Sequence, residues 1–194
     1  YNHSVKKDII LAGVGGQGVL SIAAIIAKAA VRTGLSVRQS EVHGMSQRGG
    51  AVLAHLRIAD AVIASDLVPQ GAADIIVSME PLESLRYAAW LAPDGALVTA
   101  AEPFVNIDDY PEIDVILDVI RRFPKHRIVN AAGIAQEAGL PKAVNMVMAG
   151  AAARFLPLPD GALEAAIEEL FAAKDGAVIE ANKKAFNLGK DMAE

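Results

Sequence analysis

Cysteine is absent from the 194-residue chain. That excludes disulfides, thiolate-held iron–sulfur clusters and cysteine zinc sites within this polypeptide. Aromatic residues are scarce, at 5%, so packing must rely on small aliphatic side chains that let helices approach a sheet closely. Such a composition suits α/β layers. A surplus of positive charge is also missing. The net charge is −5 and the pI about 5.4, which leaves no global field to draw in nucleic acid or an anionic membrane. One local exception is RRFPKHR, from Arg121 to Arg127, which reads either as a solvated helix end running into a strand or as an anion site. The longest apolar run, Val19 to Val31, contains Ser21 and Lys28 and is shorter than the roughly 20 apolar residues a bilayer demands. With no basic-then-apolar leader ahead of it, a cytoplasmic chain that engages no membrane and no nucleic acid is expected. His3, His43, His55 and His126 show neither metal-ligand spacing nor a nucleophile-elbow context.

What is present is a regular alternation of elements, with 53% hydrophobic residues, ample for one buried core. Ile9 to Ala12 is a short continuous apolar run ending at Gly13, as a buried parallel strand requires. Gln17 to Arg32 reads as a helix, with Gly34 beyond its end and Arg32 in its last turn. LSVRQSEV follows as a second strand, so residues 8 to 42 form a strand–helix–strand unit. In AVLAHLRIAD, Val52, Ala54, Leu56 and Ile58 alternate with Leu53, His55 and Arg57. That pattern describes a strand with one wetter face, of the kind found antiparallel to a neighbour. Residues 61 to 69 read as a brief extended segment with a turn. ADIIVSM, ALVTA and HRIVNA are further strands. Pro81 opens a helix over PLESLRYAAWL that PDG at 93–95 closes, and another helix spans about Pro111 to Phe123. Beyond residue 131 four helical stretches are separated by Gly or Pro signals. The expected fold is a three-layer α/β/α domain over residues 1–194. It has a mostly parallel, Rossmann-like sheet core over about 6–130 and a helical C-terminal part over about 131–194, packed on the sheet or on a partner.

Two loops stand out. GVGGQG, Gly13 to Gly18, satisfies G-x-G-x-x-G between a strand and a helix. Its glycines serve a tight turn, close backbone approach and helix packing, and the free amides of the helix start favour an anion. Glu41 lies near the end of the second strand, where a ribose-binding acid would stand, so a stand-alone NAD(P)- or FAD-binding oxidoreductase is one reading. No catalytic set of the dehydrogenase kind accompanies it.

The second loop is EVHGMSQRGG, Glu41 to Gly50. Arg48, followed by Gly49 and Gly50, offers a guanidinium fork on a backbone free to approach phosphate or carboxylate, or else a salt bridge to Glu41 or a partner. His43 suits an anion contact or acid–base work, or simply a strand end. Ser46 and Gln47 offer neutral hydrogen bonds, and Met45 a soft contact for a ring. Gly15, Gly16, Gln17 and Gly18 either cradle a phosphate or make the turn. Asn145 and Asn182 fall inside helices, where a buried amide commonly bonds a loop backbone.

In order, GVGGQGVLSIAAIIAKAAVRTGLSVRQSEVHGMSQRGGAVLAHLRI resembles the gamma-type component of the 2-oxoacid:ferredoxin oxidoreductases. The form E-x-HGMSQRGG is similar to the small subunits of the indolepyruvate branch. The resemblance continues through IADAVIASDLVP, MEPLESLRY, KAVNMVMAGA and IEANKKAFNLGK, nearly the whole chain. It implies CoA-dependent oxidative decarboxylation of aryl 2-oxoacids to an arylacetyl-CoA, with electrons passed to ferredoxin. It also implies that thiamine diphosphate and iron–sulfur clusters lie on a large alpha subunit. This chain would then cover the active site, help bind coenzyme A through Gly15, Gly16, Gln17, Gly18, His43, Ser46, Gln47, Arg48, Gly49 and Gly50, and be inactive alone. No metal ligand and no catalytic residue is assigned to it. A purely structural assembly subunit is a third reading.

Overall fold

The computed structural model describes residues 5–43 and 49–192. In chain order they form β1 (Lys6–Val14), α1 (Val19–Arg32), β2 (Ser36–His43), β3 (Ala51–Ala59), β4 (Ala73–Ser78) and α2 (Pro81–Arg86). Then follow β5 (Leu91–Ala100), α3 (Ile113–Ile120), β6 (His126–Val129), α4 (Ala131–Glu137), α5 (Val144–Ala153), α6 (Ala162–Leu170) and α7 (Gly176–Lys190). The strands make one sheet in the order β2-β3-β1-β4-β5-β6. Pairings from β1 through β4 and β5 to β6 are parallel, whereas β3 is antiparallel to both β1 and β2. The α/β class and the mostly parallel sheet are as expected from sequence.

Alternation sorts the central strands between two faces. Ile9 and Leu11 of β1 join Ile75, Val77, Val98 and the buried stripe of α1 in the main apolar cluster. Ile10 points the other way, to Val68 and Ile76. Each such fully buried side chain contributes about 1.5–3 kcal/mol relative to exposure. In α1 the buried residues Ile22, Ala23, Ile26, Ala29 and Ala30 recur at helical spacing, while Lys28 and Arg32 on its outer side both reach Glu169 of α6, at 2.5 and 2.7 Å. Helix α5 is buried continuously from Met146 to Ala152, as befits an apolar helix between the sheet and α7. Glycines set that contact. A Cβ on Gly150 would collide with the carbonyl of Phe186, and one on Gly189 with that of Val147, so α5 and α7 touch through bare backbone. The helical C-terminal part thus packs on the sheet.

Three local expectations are corrected. The unit over residues 8–42 is not a simple parallel pair: β3 inserts between β1 and β2, which leaves β2 as an exposed edge. The helix opened by Pro81 stops at Arg86, and a single 3₁₀ turn, Ala88–Trp90, leads straight into β5. Pro93, Asp94 and Gly95 therefore lie inside β5, where the register slips from Ala73 opposite Leu91 to Ile75 opposite Ala96. Finally, the wetter face of β3 is polar but covered. His55 is buried because its Nδ1 accepts a hydrogen bond from the Val68 amide at 3.1 Å, and Trp90 Nε1 donates to the Val68 carbonyl at 3.1 Å. The irregular segment 61–72 is held down by these bonds.

Candidate functional site

Antiparallel pairing of β1 with β3 brings the two singled-out loops together. Val14 stands opposite Ala51 at the end of that ladder, and the next step is a hydrogen bond from the Gly15 amide to the Gly50 carbonyl, 2.8 Å. The glycine turn and the RGG loop are therefore joined at the carboxyl end of β1, where open α/β sheets bind ligands. Gly44, Met45, Ser46, Gln47 and Arg48 lie outside the described residues.

Within the turn each residue has its own physical reason. A Cβ on Gly13 would lie 2.7 Å from Val19 Cγ2 and 3.0 Å from Met79 Cβ, so this glycine answers to packing between helix and strand. Gly16 is exposed with φ +98° and nothing within 4 Å of a hypothetical Cβ, so it answers to turn geometry. Gln17 staples the loop: its Oε1 accepts from the Val14 amide at 2.8 Å and its Nε2 donates to the Met79 carbonyl at 3.3 Å. Gly18, at φ +82°, caps α1, and a Cβ there would come 2.6 Å from Asn145 Nδ2. Helix α1 begins with no side-chain cap and no acidic residue in its first turn, so its amino end carries an uncompensated partial positive charge. That is the feature of the turn suited to an anion.

His43 ends β2 half exposed, its Nε2 3.3 Å from Glu41 Oε1, while Glu41 Oε2 accepts from Gln39 Nε2 at 3.3 Å. Glu41 is thus engaged by its own strand. It also sits two strand spacings from β1, about 10 Å, because β3 intervenes. A dinucleotide fold needs that acid on the strand directly beside β1, and these residues do not fit NAD(P) or FAD held in that way. The expected bond from a helical amide to a loop backbone is made by neither asparagine among the described residues: Asn145 packs against Gly18 and its Oδ1 accepts from the Met146 amide at 3.1 Å, and Asn182 bonds the Val178 carbonyl of its own helix at 2.8 Å.

A third loop, residues 101–112, escaped sequence reasoning. Asn106 Nδ2 donates to the Gly49 carbonyl at 2.9 Å, which ties it to the RGG loop. Its other anchor is Glu80, buried at the start of α2. Glu80 Oε2 caps the Glu83 amide at 2.8 Å, and Oε1 accepts from the Phe104 amide at 3.3 Å and from the Tyr110 hydroxyl. Burial, together with the Glu80 carboxylate, pushes the Tyr110 hydroxyl pKa well up. Burial also raises the Glu83 carboxyl, against the pull of Arg86, whose Nε lies 3.2 Å away. Pro81 marked the helix start in MEPLESLRY, but Glu80 before it was not singled out, and nothing local pointed to a partner 30 residues on.

Among the described residues no group of three His, Asp or Glu side chains is placed to hold a metal ion, and no helix is long and apolar enough to cross a membrane. Residues 8–192 match the family model described as pyruvate ferredoxin/flavodoxin oxidoreductase. The chain belongs to this family. It is 37% identical to the indolepyruvate oxidoreductase subunit IorB of Archaeoglobus fulgidus, over 97% of this chain and 96% of that one. Among solved structures, the pyruvate oxidoreductase subunit PORC of Thermotoga maritima superposes with a TM-score of 0.71 at 25% identity, covering 96% of each chain. The same fold, at 22% identity and TM-score 0.75, occurs within the 2-oxoglutarate:ferredoxin oxidoreductase of Magnetococcus marinus, of whose longer chain this protein spans 30%. Gamma-type subunits of 2-oxoacid oxidoreductases are thus the relatives of this chain.

Proposed function

We propose that this chain is the small subunit of an indolepyruvate-type 2-oxoacid:ferredoxin oxidoreductase, working in the cytoplasm against a large catalytic subunit. The observation that carries the reading is the Gly15-to-Gly50 bond, which sets two polar, glycine-flexible loops side by side next to the uncapped amino end of α1. Such a surface is suited to close over a neighbour's active site and to meet the phosphates of coenzyme A. On the large subunit, thiamine diphosphate would supply carbanion chemistry at the oxo carbon and iron–sulfur clusters would take the electrons singly toward ferredoxin. A chain without cysteine holds no thiolate-bound cluster, which fits that division.

For this chain's own residues the bonds of the glycine turn support a division of roles. Gly15 and Gln17 spend their polar groups inside the protein and act as scaffold. Gly16, the start of α1 at Gly18, His43, and Ser46, Gln47 and Arg48 with their glycines Gly49 and Gly50 are the ligand-directed set. Arg48 would supply a bidentate contact to phosphate or carboxylate. The test is co-expression with the large subunit and an assay of indolepyruvate-dependent dye reduction. Activity is expected only for the pair, and full activity of the large subunit alone would refute the reading. Arg48→Ala should raise the KM for coenzyme A by about tenfold with little change in that for the 2-oxoacid. An unchanged KM for coenzyme A removes Arg48 from the site.

A further inference from the structure

Residues 101–120 carry six carboxylates and no lysine, arginine or histidine. The same stretch holds five of the ten large hydrophobic side chains that stand exposed among the described residues: Phe104, Val105, Ile107, Val115 and Val119. Val105 is 68% exposed. Looseness does not explain this display. The loop is pinned through the Phe104 amide and Tyr110 hydroxyl to buried Glu80, through Asn106 to Gly49, and through Glu102 Oε1, which accepts from the Ala132 amide at 3.2 Å. Its backbone is thus ordered in advance, while its apolar tip is left out of the core. Among the described residues none of Asp108, Asp109 and Glu112 takes part in an ion pair.

We infer that loop 101–112, with the outer face of α3, is the surface by which this chain docks on the large subunit, and that it meets there an apolar patch rimmed by lysine or arginine. Three features select that occupant. Pre-ordered apolar side chains reduce the entropic cost of association, and Asp108, Asp109 and Glu112, left without a cation among the described residues while Asp118 pairs with Arg121 at 2.6 Å, call for a cationic counter-surface. A second copy of this chain would bring like charges together, which costs free energy. Continuity supplies the third: Asn106 holds Gly49, so the docking loop and the RGG loop share one end of the sheet, and seating the first sets the second over the partner. This inference rests on the subunit role proposed above.

The test is mass photometry of the co-expressed complex on dilution. Compared variants are Phe104→Ser/Val105→Ser, Asp108→Lys/Asp109→Lys, and Val62→Asp, a control at a residue 92% exposed elsewhere. Circular dichroism should show all of them folded, since the altered side chains are exposed. Both loop variants should weaken association by about tenfold or more. The control should stay within about twofold, and rising salt should loosen the wild-type complex. Wild-type association with unweakened loop variants would overturn the docking assignment while leaving the subunit role standing. Absence of any wild-type complex would overturn both. Self-association of the free chain that the loop variants abolish would make the surface a contact between copies and sink the inference.

Discussion

The two faces of the sheet are built differently. On one, α1, α5, α6 and α7 close over the main apolar cluster, with α5 and α7 in backbone contact at Gly150 and Gly189. On the other, two smaller apolar clusters are interleaved with buried titratable groups: His55, Glu80 and Glu83. The first face is closed chiefly by shape, with Arg127 and Asn182 its buried polar side chains, so the cost of disturbing its packing should be indifferent to pH. The second depends on satisfied hydrogen bonds and on charge state, and it is the face from which loop 101–112 is held.

The sharpest way to separate the two is a pair of substitutions. Gly150→Ala should cost about 3 kcal/mol, since only backbone movement makes room for the methyl group. Urea denaturation at several pH values should return the same loss each time; a loss that varies with pH would break the contrast. Glu80→Ala should cost about 2 kcal/mol, because the Phe104 and Glu83 amides and the Tyr110 hydroxyl lose their acceptor. It should also raise the protease sensitivity of residues 101–112, whereas Gly150→Ala should not do so selectively.

Smaller effects come from titration on the second face. Burial, and then the Arg57 charge, lowers the His55 pKa from 6.5, so the folded state prefers neutral imidazole. Its contribution is complete above that value and lost as pH falls from 6.5 through the lowered folded value, at a rate of at most about 1.4 kcal/mol per pH unit. Melting curves between about pH 7 and about pH 5 should flatten in His55→Gln, which keeps an acceptor for the Val68 amide. Glu83 has the opposite sign. With its folded pKa raised above 4.5, the native state disfavours the charge, and stability declines as pH climbs from 4.5 through the raised value. Glu83→Gln should therefore stabilise the neutral-pH protein, by up to about 1 kcal/mol, and the thermal midpoint should rise accordingly.

Much of the first face was legible in the sequence because its signals are local. The run Ile9 to Ala12, the helical spacing in α1 and the apolar stretch in α5 each declare their element within a dozen residues. What α5 packs against was not legible, since Gly150 and Gly189 mark close approach only once their helices are seen to cross. The second face resisted more. His55 and Arg57 look like a solvated strand face until Val68 and Trp90 are found over the first and the Ser65 and Leu67 carbonyls on the second. Glu80 caps α2, and its second role depends on a tyrosine 30 residues away. The glycine fingerprint was legible as a turn and misleading as a dinucleotide sign, because the antiparallel β3 displaces Glu41 from the place a ribose would need.

The double engagement of Glu80 also has a dynamic consequence. Its two oxygens accept the amide of Glu83, in α2, and that of Phe104, in the docking loop. A fluctuation that withdraws the carboxylate releases both amides to solvent in the same event. Their hydrogen–deuterium exchange should therefore report one shared opening, at matched protection. Anything that clamps the loop from outside should slow exchange inside the helix as well.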